Sequence, residues 1–207
     1  MPDADDIFSA ALRIMDGMGL TEAFGHLSER VAGQPDTIRI TPAMGPGLAD
    51  AKMCVCFNLA GNRLPGNDDL PAPLETPMHL AIYRARPDVE AICRTHSPYA
   101  VDAGAVFSFV PCLHGFSLMM GRRIPVHADI DLIHSNKQAN ALASTLGDYG
   151  ACLIRGNGAL AVGDDIRQSV VRAIYLEEAC RIAVQSGPVA CSGAMKRITD
   201  SDYAARC

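Results

Sequence analysis

Apolar residues recur at Ile7, Ala10, Ala11, Ile14 and Met15, the i, i+3, i+4 spacing of one helical face, so the chain is expected to open with an amphipathic helix from Asp6 to Met18. Gly17 and Gly19 sit where that helix should stop. Short stretches punctuated by Gly, Pro and Asn follow at Leu27–Val31, Thr37–Ile40 and Met53–Asn58, the last with the turn Ala60-Gly61-Asn62 behind it, and they predict a meander of antiparallel strands. Helical spacing returns from Pro77 to Arg86 and ends before Pro87-Asp88; Val89–Thr95 then reads as a buried strand. Pro98 to Val106 is a further helix, Gly121–Pro125 a short strand and Ser135–Leu146 an amphipathic helix. Two apolar strands, Ala151–Ile154 and Ala159–Val162, are joined by the turn Arg155-Gly156-Asn157-Gly158. A long helix runs from about Asp164 to Ser186, with Val170, Val171, Ile174, Ala179 and Ile182 available for its buried face.

Strands framed by helices, with no internal repeat and no linker, predict a single three-layer α/β/α domain around a mixed, mainly antiparallel sheet. It should occupy residues 1–187, leaving 188–207 as a polar C-terminal tail that packs on a neighbouring subunit, with Tyr203 as its crossing residue. A doubly wound dinucleotide fold does not fit, because no G-x-G-x-x-G follows a strand and no G-x-x-x-x-G-K-[ST] occurs.

Composition narrows the partners. The 18 Lys and Arg residues against 23 Asp and Glu leave a formal charge of −5, and no basic cluster exceeds a pair such as Arg122-Arg123, so a nucleic-acid groove is not expected. The acidic start and the want of any apolar run near the roughly 18 residues that span a bilayer predict a cytoplasmic protein without a membrane partner. The eight cysteines are scattered, several within apolar stretches, and are read as reduced thiols; Cys54 and Cys56 share one face of a strand but lack the second pair of a zinc knuckle.

Candidate chemistry concentrates at Glu75 and at Arg94-Thr95-His96. Glu75 precedes a helix that has Pro77 in its first turn, and Arg94 and His96 project to the same face of a strand end, so carboxylate, guanidinium and imidazole could share a cleft. Plainer alternatives stand beside each role. Arg94 could pair with Glu75, Glu75 could serve the helix dipole, and His96 could be satisfied by backbone. His79 falls one turn after Glu75 and either braces it or faces its own helix neighbours. His127 and His134 flank Asp129 and Asp131, and exposed loop positions explain that spacing better than a metal. Leu118-Met119-Met120 reads as packing rather than a cofactor box.

The segment Leu74-Glu75-Thr76-Pro77-Met78-His79 through Val89-Glu90-Ala91-Ile92, followed by Thr95-His96-Ser97-Pro98-Tyr99-Ala100, resembles the centre of the class II aldolase/adducin head family. The likeness extends to Gly25-His26-Leu27-Ser28-Glu29-Arg30, Ile40-Thr41-Pro42, Leu153 to Gly163 and the Leu176-Glu177-Glu178-Ala179 helix. It implies a single α/β/α domain, a cyclic homotetramer with active sites at subunit contacts, and a divalent metal held by three histidines. The chain departs from that pattern: Arg94 stands at the first histidine, His96 is kept, and Asn157 stands at the third. Arg cannot coordinate a cation and Asn is a poor zinc ligand. A guanidinium about 4 Å from a divalent ion would be repelled by roughly 8 kcal/mol at an effective dielectric near 20. The expectation is a site without that metal, in which Arg94 takes over its electrostatic task by clamping a carboxylate. The alternative is zinc or manganese held by His96 with His26, His114 or Glu75 in a rearranged sphere.

Phosphate-gripping turns of the family's sugar-phosphate enzymes are replaced here by Gly25-His26, Ala43-Met44-Gly45 and Pro73-Leu74, so a phosphorylated sugar is not expected. The Gly-His variant resembles the branch that includes decarboxylases of hydroxylated aromatic carboxylates, and Leu74, Met44 and Phe116 could line a pocket for a flat ring. The reading is a lyase acting on a small non-phosphorylated carboxylate, by decarboxylation or retro-aldol cleavage of a hydroxylated aromatic or keto acid. Glu75, His96, Arg94 and His114, near the family's tyrosine donor, would be catalytic; His26, Ser28, Arg94 and Asn157 would bind substrate. The rivals are a noncatalytic, adducin-like association domain and a metal-dependent aldolase with rearranged ligands.

Overall fold

The computed structural model describes residues 3–187; Tyr203 and the tail contact expected of 188–207 lie outside the described residues. Eight strands form one sheet in the order β3-β2-β1-β4-β8-β7-β6-β5. They are β1 (His26–Val31), β2 (Gln34–Ile40), β3 (Val55–Asn58), β4 (Ala91–Thr95), β5 (Phe109–Pro111), β6 (Arg123–His127), β7 (Ala151–Ile154) and β8 (Ala159–Gly163). Every neighbouring pair is antiparallel except β6 with β7, so the sheet is mixed and mainly antiparallel.

Helices cover both faces. On one side α1 (Ala4–Gly17), α3 (Pro98–Val106) and α5 (Ile166–Gln185) bury Phe8, Leu12, Met15 and Leu176 against Cys93, Leu153 and Ala161. On the other, α2 (Thr76–Ala85) and α4 (Asn136–Leu146) bury Met78, Ile82 and Leu142 against Ile38, Ile92, Ile154 and Leu160. The alternation of the central strands between these two cores is why β4, β7 and β8 are buried along their whole length. Asp3, Ser135 and Asp165 cap α1, α4 and α5 with their side chains. Glu177, midway along α5, accepts the N–H groups of Tyr99 and Ala100 at 2.9 Å each, tying the start of α3 to the last helix.

Three details differ from the sequence reading. β6 starts at Arg123, two residues beyond Gly121, because Gly121 lies at φ 111° at the end of a 3-10 turn (Gly115–Met120) and pairing begins only after it. That turn and the three-residue strand β5 have no clear periodicity in the sequence. In α5 the inward face is Val170, Ala173, Leu176, Ala179, Cys180 and Ala183, while Val171 is exposed and Ile174 and Ile182 are half-buried: small alanines let the helix lie close on the sheet along that stripe. Leu118 and Met120 are packed, as expected. The six described cysteines outside the tail, including Cys54 and Cys56, are free thiols.

Candidate active site

One polar stripe runs through the otherwise apolar layer between the sheet and α2. On β1, His26 and Ser28 stand two residues apart and so point to the same side; across the ladder they face Arg94 and Ile92 of β4. On α2 the matching stripe is Glu75, His79 and Tyr83, spaced i, i+4 and i+8, one above the other on the helix face that packs on these strands. All six polar side chains are buried. Pro77 fits the first turn of α2, and Glu75 is its N-cap, yet the Glu75 carboxylate makes no capping bond. It turns to Arg94.

The Arg94 guanidinium is wholly buried and held on all sides by protein. Its Nε lies 3.2 Å from Glu75 Oε2 and its Nη2 donates to Glu75 Oε1 at 3.3 Å, while Nη1 donates to the Thr95 carbonyl and, at 3.4 Å, to that of Ala159. Two glycines allow this. A Cβ on Gly25 would fall 2.5 Å from Thr21 Cγ2 and 3.0 Å from the Arg94 carbonyl, so only glycine lets the chain enter β1 hard against β4. Gly158, at φ +83°, would put a Cβ 2.2 Å from the Thr95 carbonyl and 2.9 Å from His96 Cα. The direct clamp of Arg94 on a substrate carboxylate is therefore corrected: the guanidinium is fully buried and outside the cavity lining, its Nη1 and Nη2 turn to Glu75 and two carbonyls, and its Nε, though close to Glu75, makes no hydrogen bond. Arg94 fixes Glu75 instead.

Beside this pair opens a cavity of about 310 Å³, large enough for a substituted ring. His26, Glu75 and His96 supply its polar wall, and Phe24, Met44 and Leu74 its apolar one, with Leu132 at the edge. Phe24 and Leu74 are largely exposed at the rim. Burial, then the Arg94 charge, pull the His96 imidazole down to about 3. Burial and the neighbouring His79, Arg94 and His96 hold His26 well below the usual histidine range. Both rings are neutral at pH 7, able to accept a proton or to donate one N–H, and an imidazolium formed there is a strong acid.

The other expected residues fall elsewhere. Ser28 does not reach the cavity: it is fully buried on β1, its hydroxyl 2.8 Å from both His79 Nδ1 and Tyr83 Oη. His114 follows the edge strand β5 and sits against α5, near Phe116 and Glu178, and does not line this cavity. Phe116, expected in the pocket, instead stacks on Tyr175 with centroids 4.4 Å apart. Asn157 lies in the β7–β8 turn, closed by its own N–H to the Ile154 carbonyl at 2.9 Å, and is not part of the cavity wall. His127 ends β6 buried, with Nδ1 3.0 Å from Thr145 Oγ1, and is no loop residue; His134 is exposed. His79 does not brace Glu75 but turns to Ser28. Phe24 and Leu132 were missed: single apolar residues in loops carry no periodic signal.

The sequence profile described as the class II aldolase and adducin N-terminal domain matches residues 7–184. The chain belongs to that family. A 3,4-dihydroxyphthalate decarboxylase of Rhodococcus jostii (strain RHA1) is 30% identical over 210 residues, 95% of this chain and 85% of that protein. Decarboxylase tropJ of Talaromyces stipitatus is 28% identical, over 86% of this chain and 74% of its own length. Among solved structures, an L-fuculose 1-phosphate aldolase superposes with a TM-score of 0.82 at 19% identity, covering 98% of this chain and 94% of that one, a likeness of fold.

Within the class II aldolase family this member has Arg94, a buried cation that cannot ligate a metal, two residues before His96, and among the described residues no group of three or more His, Cys, Asp or Glu side chains is disposed to hold an ion. His26, His96 and Glu75 share a wall without forming such a group. No helix of the described residues is long and apolar enough to cross a membrane.

Proposed function

We propose that this chain is a metal-independent lyase that decarboxylates a non-phosphorylated, hydroxylated aromatic carboxylate. The observation that carries the reading is the pairing of two neutral histidines, His26 and His96, with the anchored Glu75 in one cavity walled by Phe24, Met44 and Leu74. The apolar side accepts the flat ring and the polar side meets its oxygens. The names of the dihydroxyphthalate decarboxylase and tropJ relatives support the reaction class.

In the proposed sequence neutral His96 relays the proton of the hydroxyl ortho to the carboxylate, its weak basicity keeping the imidazolium transient, and the phenolate pushes electron density onto the carboxyl-bearing carbon. The imidazolium returns that proton to this carbon. The C–C bond then breaks, its electron pair re-forms the aromatic phenolate, carbon dioxide leaves, and the phenolate regains a proton from water. The fixed charge of Arg94 behind the ring makes the His96 imidazolium a readier donor, and the His26 N–H steadies the oxyanion. Glu75, oriented by Arg94, faces the substrate as an acceptor for a second hydroxyl. A cytoplasmic homotetramer belongs to the same proposal.

Purified protein given 3,4-dihydroxyphthalate should release carbon dioxide and 3,4-dihydroxybenzoate, with chelator leaving the rate unchanged. His96→Ala should lower kcat by about 10²-fold or more, the usual share of a general acid–base. If neither turnover nor binding appears with a panel of hydroxylated aromatic acids, the adducin-like association domain is the better reading. If chelator abolishes activity and one ion restores it, the aldolase with rearranged ligands is; cleavage of a hydroxy ketone would instead favour retro-aldol chemistry.

A further inference from the structure

Behind the cavity wall lies a line of buried polar groups that the proposed reaction does not itself use. Tyr83 Oη, Ser28 Oγ and His79 Nδ1 are joined by two contacts of 2.8 Å. His79 Nε2 and His26 Nδ1 are both buried without a partner, in rings whose centroids are 5.8 Å apart and tilted by 60°. His26 in turn lines the cavity.

Hydrogen counting gives this line a direction. The phenol of Tyr83 is buried, and burial raises its pKa further, so it keeps its proton at any ordinary pH. Its one hydroxyl partner is Ser28 Oγ, so Tyr83 donates and Ser28 accepts. The single hydrogen of Ser28 is then free for His79 Nδ1, which must accept it. The His79 ring is neutral, held near 3 by burial and Arg94, so its one proton sits on Nε2. A His26 ring with a bare Nδ1 would be the acceptor that this N–H lacks, since both nitrogens are buried without a partner in neighbouring rings. His26 then carries its proton on Nε2.

We propose that Tyr83, Ser28 and His79 are positioning residues that lock the tautomer of His26, so that this histidine presents a permanent N–H donor, not a bare nitrogen, to the substrate. The inference rests on the decarboxylase reading only for what the donor is used for; the tautomers themselves are a property of the ligand-free protein. A donor at that place selects substrates carrying an anionic or carbonyl oxygen there and disfavours those offering a second N–H or O–H.

Nitrogen-15 NMR of the histidine rings in the ligand-free chain at pH 7 tests it. His79 and His26 should each show a protonated Nε2 and a bare Nδ1; a proton on Nδ1 of either ring overturns the proposal. Tyr83→Phe and Ser28→Ala remove one link each while leaving the cavity wall alone. Each should broaden or shift the His26 Nδ1 signal and lower kcat about five- to tenfold, the reach of one hydrogen bond, with KM unchanged. An unmoved His26 spectrum in both variants also overturns it, and if one variant fails to fold the other decides. Correct tautomers in a protein that turns over no aromatic acid would sink the decarboxylase reading alone.

Discussion

At the scale of single residues, Arg94 is the side chain on which the site's electrostatics depend. A wholly buried guanidinium is tolerable because the Glu75 carboxylate lies against it as a counter-charge and Nη1 and Nη2 reach Glu75 and two carbonyls, although Nε has no hydrogen bond. Removing it leaves the Glu75 carboxylate buried and uncompensated, so Arg94→Met should destabilise the fold by about 3–5 kcal/mol in urea unfolding. The double variant Arg94→Met, Glu75→Leu should regain most of that loss, because it discards the stranded charge as well as its partner. Where Arg94→Met remains folded, the His96 ring should titrate closer to the ordinary histidine range, since one of the two causes that lower it has gone. An unchanged His96 titration curve by NMR would mean that burial alone sets its neutrality. Glu75, Arg94 and His96 could be grouped from sequence because residue spacing and strand alternation place them on one face. Which of the three meets solvent could not, since that depends on how far α2 closes over the strand.

At the scale of elements, the site exists because a helix stripe and a strand stripe share a polar register inside an apolar layer. The spacing Glu75, His79, Tyr83 is readable as one helix face, and His26, Ser28 as one strand face, but nothing local says that the two faces meet; β1 and α2 are separated by some fifty residues, as the Ser28–His79 contact shows. The long elements were legible for the opposite reason: α1, α2, α4 and α5 have caps, prolines or glycines at their ends and an apolar period between, while α3 is announced by Pro98 in its first turn. β5 and the 3-10 turn after it are too short to show a period, so the places of His114 and Phe116, which hang on that segment, could not be read from the sequence. The β7–β8 turn is the connection with least tolerance. Gly158 combines a left-handed backbone with a Cβ position overlapping the Thr95 carbonyl. Gly158→Ala should therefore cost at least about 1–3 kcal/mol from the backbone alone. It should also lower turnover by displacing the strand end that carries Arg94 and His96. The corresponding change at Gly187, where a Cβ meets nothing within 4 Å, should leave both unaltered.

At the scale of the whole molecule, the buried histidines make stability depend on pH in one direction. Five rings, His26, His79, His96, His114 and His127, are lowered by burial, with His79 and His96 at about 3. Unfolding releases each to its ordinary value near 6.5, so between those limits the unfolded chain binds more protons than the folded one. Stability is accordingly full above about pH 7 and falls as the solution is acidified, by about 1.4 kcal/mol per pH unit for a fully buried ring such as His79. Most carboxylates stay ionised down to about pH 5, which leaves the interval from pH 7 to about 5.5 as a window where histidines govern the slope. The comparison that isolates the effect is urea unfolding of wild type and His79→Gln across that window. The variant should be less stable at pH 7, where it loses the Ser28 hydrogen bond, yet lose less stability on acidification, because one proton fewer separates its folded and unfolded states. Parallel curves for the two proteins would show that His79 is not held neutral, and with that the buried line from Tyr83 to His26 would lose its direction.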